Sequence, residues 1–163
     1  MTINKEVQPM TVEHVTTATD DARTLIGELD AVLHADSPPE NRHGYSVERV
    51  FQPDVLFFIA RMNGELAGCG AIALADGYAE VKRMYVRPHA RRKNVAQAVL
   101  DRLEVEARAR GTKRLLLETG DNRNAAIRFY ERAGFIRCTA FGPYVAMNPC
   151  AIAHSVFFEK QID

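Results

Sequence analysis

Apolar positions recur at helical spacing in some stretches of the chain and alternate or run unbroken in others. In TDDARTLIGELDAVLHAD, Leu25, Leu29, Val32 and Leu33 fall on one face, which predicts a helix capped by Asp20 or Asp21. SPPENRHGYS reads as a loop by its prolines and glycine, with a short helical piece over Val47 to Val50. Two strands are predicted over Val55 to Arg61 and Leu66 to Leu74, joined by the hairpin signal Asn63-Gly64. Asp76-Gly77 marks a second turn, and YAEVKRMYV alternates as a third strand that Pro88 ends. From Asn94 to Arg110 the period is helical again, with Ala96, Val99, Leu100, Leu103 and Ala107 on one stripe and Gly111 as the stop. KRLLLETG is a continuous apolar run, the mark of a strand covered on both faces. NAAIRFYERAG is a helix ended by Gly134, and FIRCTAF and HSVFFEK are closing strands. Residues 1–12 are polar without clear period and read as a loosely held tail.

A chain of 163 residues fits one domain, residues 1–163, with enough length to bury a core. Lys plus Arg and Asp plus Glu number 21 each, so global charge gives no reason to expect a polyanionic partner. Cys69, Cys138 and Cys150 are odd in number and form no CxxC pair, which argues for reduced thiols in a cytoplasmic protein. Neither a signal peptide nor an apolar run near the ~20 residues of a membrane span is read. The His residues show no metal-ligand spacing, so no metal is expected.

Three linked segments, AEVKRMYVRP, RRKNVAQAVLDRLEVEARARG and LLLETGDNRNAAIRFYERAGF, resemble the GNAT superfamily of acyl-CoA-dependent N-acetyltransferases. They span Ala79 to Phe135, and the order of elements extends the likeness over nearly the whole chain. The family's loop pattern, Gln/Arg-x-x-Gly-x-Gly/Ala, is matched by Arg91-Arg92-Lys93-Asn94-Val95-Ala96, with Asn94 replacing the middle glycine. The resemblance implies an α+β fold: a central mixed, mostly antiparallel sheet of about six to seven strands flanked by about four helices. It also implies acetyl-CoA as acyl donor, held by Met84, Tyr85, Val86, Arg91, Arg92, Lys93, Asn94, Val95, Ala96, Gln97, Asn124 and Tyr130. Backbone N–H groups at a helix start bind phosphate whatever the side chains, provided the turn forms. Asparagine is the non-glycine residue that best tolerates a left-handed backbone.

Acetyl transfer to an amine requires a base, an oxyanion donor and an acid for the departing thiolate. The resemblance assigns these to Glu80, eleven residues before Arg91, to the Met84 N–H and to Tyr130. The family's usual asparagine before the last helix is replaced by Arg123, flanked by Asn122 and Asn124. Glu40, Arg42 and His43 are candidates to orient an acceptor that also carries a carboxylate, with FGPYVAMNPCAIAH as the opposite wall. The implied activity is direct acetylation of a primary amine of a small molecule or peptide by a monomer or homodimer. The alternative is a catalytically weakened acyl-CoA-binding module of the same fold. Arg87 to Lys93 is basic, but without interleaved aromatics it does not point to nucleic acid.

Overall fold

A computed structural model describes residues 9–163. The expected tail, residues 1–12, therefore lies in part outside the described residues, and residues 10–12 of it begin a strand, Met10–Val15 (β1). Met10 and Val12 pack on one core cluster and Val15 on the other, too short an alternation to register as a strand in sequence. What makes it one is antiparallel pairing with Val55–Met62 (β2), from Met10 opposite Met62 to Val15 opposite Phe57.

Asp20–Asp36 (α1) follows, capped by Thr19, whose Oγ1 accepts the Ala22 N–H at 3.2 Å. Asp20 and Asp21 are thus not the cap; they lie in the first turn, where the helix dipole favours carboxylates. Val47–Val50 (α2) precedes the meander of β2, Glu65–Ala75 (β3) and Tyr78–Val86 (β4). Asn63 and Gly64 both take positive φ, 50° and 80°, as a two-residue hairpin turn requires. Val95–Ala109 (α3), Arg114–Gly120 (β5), Asn124–Arg132 (α4), Ile136–Cys138 (β6) and Ser155–Gln161 (β7) complete the order. The seven strands form one sheet in the order β1-β2-β3-β4-β5-β7-β6, antiparallel throughout except where β4 meets β5. This is the α+β architecture the sequence implies.

One face of the sheet buries Val99, Leu100 and Leu103 of α3 and Tyr130 of α4 against Phe58, Leu115, Leu117 and Phe158. The other buries Leu25, Ile26 and Leu29 of α1 with Phe57 and Ile59. Leu115, Leu116 and Leu117 are all buried because β5 has a packed layer on each side. No described helix is long and apolar enough to cross a membrane.

Two irregularities open the middle of this sheet. Strands β4 and β5 run parallel but pair only at Ala79–Leu115 and Glu80–Leu116, after which they diverge. On its other edge, β4 pairs Lys82 with Ala71 and Tyr85 with Cys69, so Arg83 and Met84 together face Gly70. This is a β-bulge, and Arg83 takes a left-handed φ of 55° to make it.

Candidate active site

The opening between the diverging strands is a cavity of about 360 Å³. Val81 to Met84 of β4 and Glu118 to Gly120 of β5 form its sides, α1 and residues 41–46 its roof, and Arg123, Ala126 and Tyr130 its far end. It exists because β4 and β5 part company after one short contact, which leaves backbone on both strands without a neighbour. Met84 has no partner in the register of either adjoining strand, so the bulge presents its backbone at the cavity edge.

Tyr130 is only 6% exposed yet lines this cavity. Its ring packs on Phe129 and Phe135, and burial pushes its hydroxyl pKa up, which keeps it protonated at neutral pH.

Glu80 is buried one layer behind the cavity and does not line it. One carboxylate oxygen accepts the Tyr144 hydroxyl at 2.8 Å, and the other lies 3.5 Å from Lys82 Nζ. Lys82 Nζ also donates to the Tyr144 hydroxyl at 3.1 Å and to the His43 carbonyl at 2.8 Å, over the Tyr45 ring. Burial lowers the Lys82 pKa, an effect that Glu80 and Glu118 oppose. Of the acids that line the cavity, Asp30 on α1 is paired with Arg83, which leaves Glu118 on β5. Burial raises its pKa, partly offset by the Ser155 hydroxyl, which donates to it at 2.5 Å. His43 donates from Nε2 to the Ala151 carbonyl at 2.8 Å; facing a carbonyl, that nitrogen carries the proton.

At the α3 N-terminus, the first intrahelical bond runs from Ala98 N–H to the Asn94 carbonyl. The N–H groups of Val95, Ala96 and Gln97 therefore have no helical acceptor, and Asn94 supplies no side-chain cap. Asn94 sits at φ 63° and Arg92 at φ 62°, so both take the left-handed geometry glycine would supply. Arg92 and Lys93 are exposed and enter no ion pair among the described residues, and the first turn holds no acid. Chemically this is an anion cradle of backbone donors ringed by cations.

The remaining expected residues are scattered more widely. Arg42 and His43 line the cavity, whereas Glu40 is exposed and does not. The Tyr85 hydroxyl turns away to donate to Glu28 at 3.1 Å. Val86 pairs with Gly68, and its carbonyl accepts Arg91 Nε at 3.3 Å. Asn124 is exposed at the start of α4, and Arg123 pairs with Asp36 at 3.0 Å. Sequence reasoning missed Lys82, Arg83 and Glu118, and reached Tyr144 only as part of the FGPYVAMNPCAIAH wall. The one available signal was polarity: charged residues in strands whose neighbours are apolar.

Residues 21–135 match the model of the acetyltransferase (GNAT) family. The chain belongs to that family. It is 42% identical over 140 residues to an IAA acetyltransferase of Azospirillum brasilense, covering 85% of this chain and 88% of that one. It is 38% identical over 146 residues to the uncharacterized N-acetyltransferase YsnE of Bacillus subtilis (strain 168), covering 86% and 93%. Among solved structures, it resembles a Klebsiella pneumoniae subsp. pneumoniae MGH 78578 protein assigned as an acyl-CoA N-acyltransferase. That match has a TM-score of 0.74 and 32% identity, over 94% of this chain and 98% of the other. PaiA N-acetyltransferase of Thermoplasma acidophilum, crystallised with coenzyme A, shares the fold with a TM-score of 0.69 at 20% identity, over 93% and 99% of the two chains. Membership of the GNAT family carries acyl transfer from a CoA-type donor. The N–H cradle and the parted strands are surfaces that fit the diphosphate and extended arm of such a donor. Among the described residues no group of His, Cys, Asp and Glu is arranged to hold a metal ion.

Proposed function

We propose that this protein is a cytoplasmic N-acetyltransferase that moves an acetyl group from acetyl-CoA directly to a primary amine of a small molecule or peptide. The carrying observation is that one cavity, at the divergence of β4 and β5, holds the Met84 bulge, Tyr130 and the Glu118 carboxylate together. The diphosphate binds the N–H groups of Val95, Ala96 and Gln97, and the acyl arm enters the gap between the strands. The amine nitrogen bonds to the thioester carbonyl carbon, and the Met84 N–H stabilises the oxyanion, a contribution of ~3 kcal/mol in comparable acyl transfers. The C–S bond then breaks, and Tyr130 gives its proton to the sulfur. The ammonium proton goes to a carboxylate, so the proton the amine loses balances the one the thiol gains.

Access favours Glu118 over Glu80 as that carboxylate. Glu118 reaches the cavity directly and takes the proton. Glu80 acts at one remove, holding Lys82 and Tyr144 in a chain that ends at the same cavity. Arg42 and His43 orient the acceptor from the roof.

Calorimetric titration with acetyl-CoA is expected to show binding well tighter than millimolar, weakened by Ala96→Asp, which puts a negative charge among the phosphates. A panel of amines assayed for thiol release should identify an acceptor. With it, Tyr130→Phe should lower turnover by ~100-fold or more while leaving acetyl-CoA affinity nearly unchanged. Binding without thiol release from any amine would instead support the weakened acyl-CoA-binding module.

A further inference from the structure

Just past the last contact between β4 and β5 stand two opposite charges with no hydrogen bond between them. Glu80 pairs with Leu116 across the parallel strands; Tyr144 is bonded to the first and clusters with the second, so the two share a face. Side chains return to a face every second residue, which makes Lys82 and Glu118 the next residues on it. Here the strands part, and both residues line the cavity.

Lys82 is only loosely claimed by its own partner. Tyr144 makes the short bond to Glu80, at 2.8 Å, whereas Lys82 Nζ lies 3.5 Å from the other carboxylate oxygen, beyond an ordinary hydrogen bond. Its two shorter bonds go to neutral oxygens, the His43 carbonyl at 2.8 Å and the Tyr144 hydroxyl at 3.1 Å. These fix the ammonium without cancelling its charge. Around the rest of the cavity, Asp30 of α1 pairs with Arg83, and Arg123 ahead of α4 pairs with Asp36. On the roof, Arg42 bonds to the Ser37 and His34 carbonyls. Burial keeps the Tyr45 and Tyr144 hydroxyls protonated. The His34 and His43 rings are cations only toward acid pH. Lys82 is therefore the standing cation across the split from Glu118, with Glu80 opposing it from one pair back.

We propose that Lys82 is a positioning residue whose ammonium, shared between Glu80 and Glu118, keeps the Glu118 carboxylate ionised while the cavity is filled. This rests on the acetyltransferase reading and deepens it. Donor and acceptor displace water from the cavity, and an acid without water favours its neutral form. That would disable the base at the moment it is needed. Burial already raises the Glu118 pKa; the Ser155 hydroxyl opposes the rise most, then His43 and Lys82. With water gone, a fixed cation across the gap is less screened and acts more strongly. The acceptor's ammonium proton then passes to a carboxylate still free to take it, and only that N–H bond breaks in the step.

The test is the pH dependence of kcat and kcat/KM for the full chain with acetyl-CoA and the amine the panel identifies, under chemistry-limited conditions. Lys82→Met should move the acid limb up by about one pH unit, and its loss of rate should shrink as pH rises above that limb. Lys82→Arg, which keeps the charge, should leave the limb near its wild-type place. Glu80→Gln should move it the other way, because the ammonium then acts on Glu118 alone. If Lys82→Met does not fold, the double variant Glu80→Gln/Lys82→Met carries the test, since a buried pair is often replaceable by neutral groups. Its limb should lie above that of Glu80→Gln. A Lys82→Met enzyme slowed equally at every pH, its limb unmoved, would reduce Lys82 to a structural role and overturn the proposal. In the free protein, carbon-13 NMR of the Glu carboxyls, with Glu118 assigned through Glu118→Gln, should show Glu118 titrating at higher pH in Lys82→Met than in wild type. No difference there overturns the proposal as well, whatever the acetylation rates. The same difference in a protein that acetylates no amine would sink the acetyltransferase reading and leave the coupling of Lys82 to Glu118 standing.

Discussion

Two residues decide whether the proposed donor loop can form without glycine. An L-residue in the left-handed region costs roughly 1–2 kcal/mol, and asparagine pays least because its short polar side chain bonds locally. Asn94 at φ 63° is therefore a tolerable substitute, whereas Arg92 at φ 62° carries more strain and contributes a cation in return. Arg92→Gly should stabilise the protein by about 1 kcal/mol, a rise of ~2–4 °C in Tm, while reducing acetyl-CoA affinity through the lost charge. Asn94→Gly should hold or improve affinity, and Asn94→Val, β-branched at positive φ, should lose about tenfold and melt lower. Thermal melts with calorimetric titration check all three; equal affinities for the Gly and Val variants at 94 would show that the turn does not need this geometry. Asn94 was legible in sequence because loop chemistry is local. Arg83 was not: its left-handed backbone follows from the register of β3 against β4, and nothing adjacent in the chain announces it.

At the scale of elements, periodicity found the helices and strands, since each buried face repeats at its own spacing. It missed β1, whose existence comes from pairing with β2, and it could not show the parting of β4 from β5. That divergence depends on what fills each side of the bulge. Gly70 is the residue opposite it: a Cβ there would meet Met84 Sδ at 2.5 Å and Val99 Cγ1 of α3 at 2.6 Å. Its absence lets α3 settle over the bulge and fixes where Met84 presents its backbone. Gly70→Val should overpack this point, costing ~1–3 kcal/mol in denaturant unfolding, and should lower turnover because Met84 is displaced from its proposed oxyanion position. A Gly70→Val protein with wild-type stability and rate would show that the bulge tolerates bulk and that Met84 is not held there by close packing.

Across the whole molecule, the proposed acid–base group is assembled from segments far apart in sequence: His43 on the roof loop, Glu80 and Lys82 on β4, Glu118 on β5, Tyr144, and Ser155 on β7. No local pattern contains it, and family spacing pointed to Glu80, which is buried and does not line the cavity. The fold sets opposite expectations for the two acids. Burial raises the Glu118 pKa above its usual 4.5, with Glu80 adding to the rise and Ser155, His43 and Lys82 opposing it. A raised carboxyl pKa means the folded protein binds the extra proton, so Glu118 favours folding below about pH 4.5. That contribution is lost as pH rises through its folded pKa, and at neutral pH the ionised group is a burden on stability. The proposed mechanism needs that same ionised form. Glu118→Gln should therefore remove the acid limb of the pH–rate profile and lower turnover by ~100-fold or more, while leaving stability at pH 7 unchanged or improved. Glu80→Gln should do the reverse in emphasis: stripping buried Lys82 of its counter-charge, it should cost ~3–5 kcal/mol of stability. Its activity should still rise with pH along the limb that Glu118 sets. The measurements are pH–rate profiles with the identified acceptor under chemistry-limited conditions and urea unfolding at pH 7 for both variants. If Glu118→Gln keeps wild-type turnover below neutrality while Glu80→Gln abolishes it with the fold intact, the proton leaves through Glu80, and the cavity's own carboxylate only shapes the acceptor site.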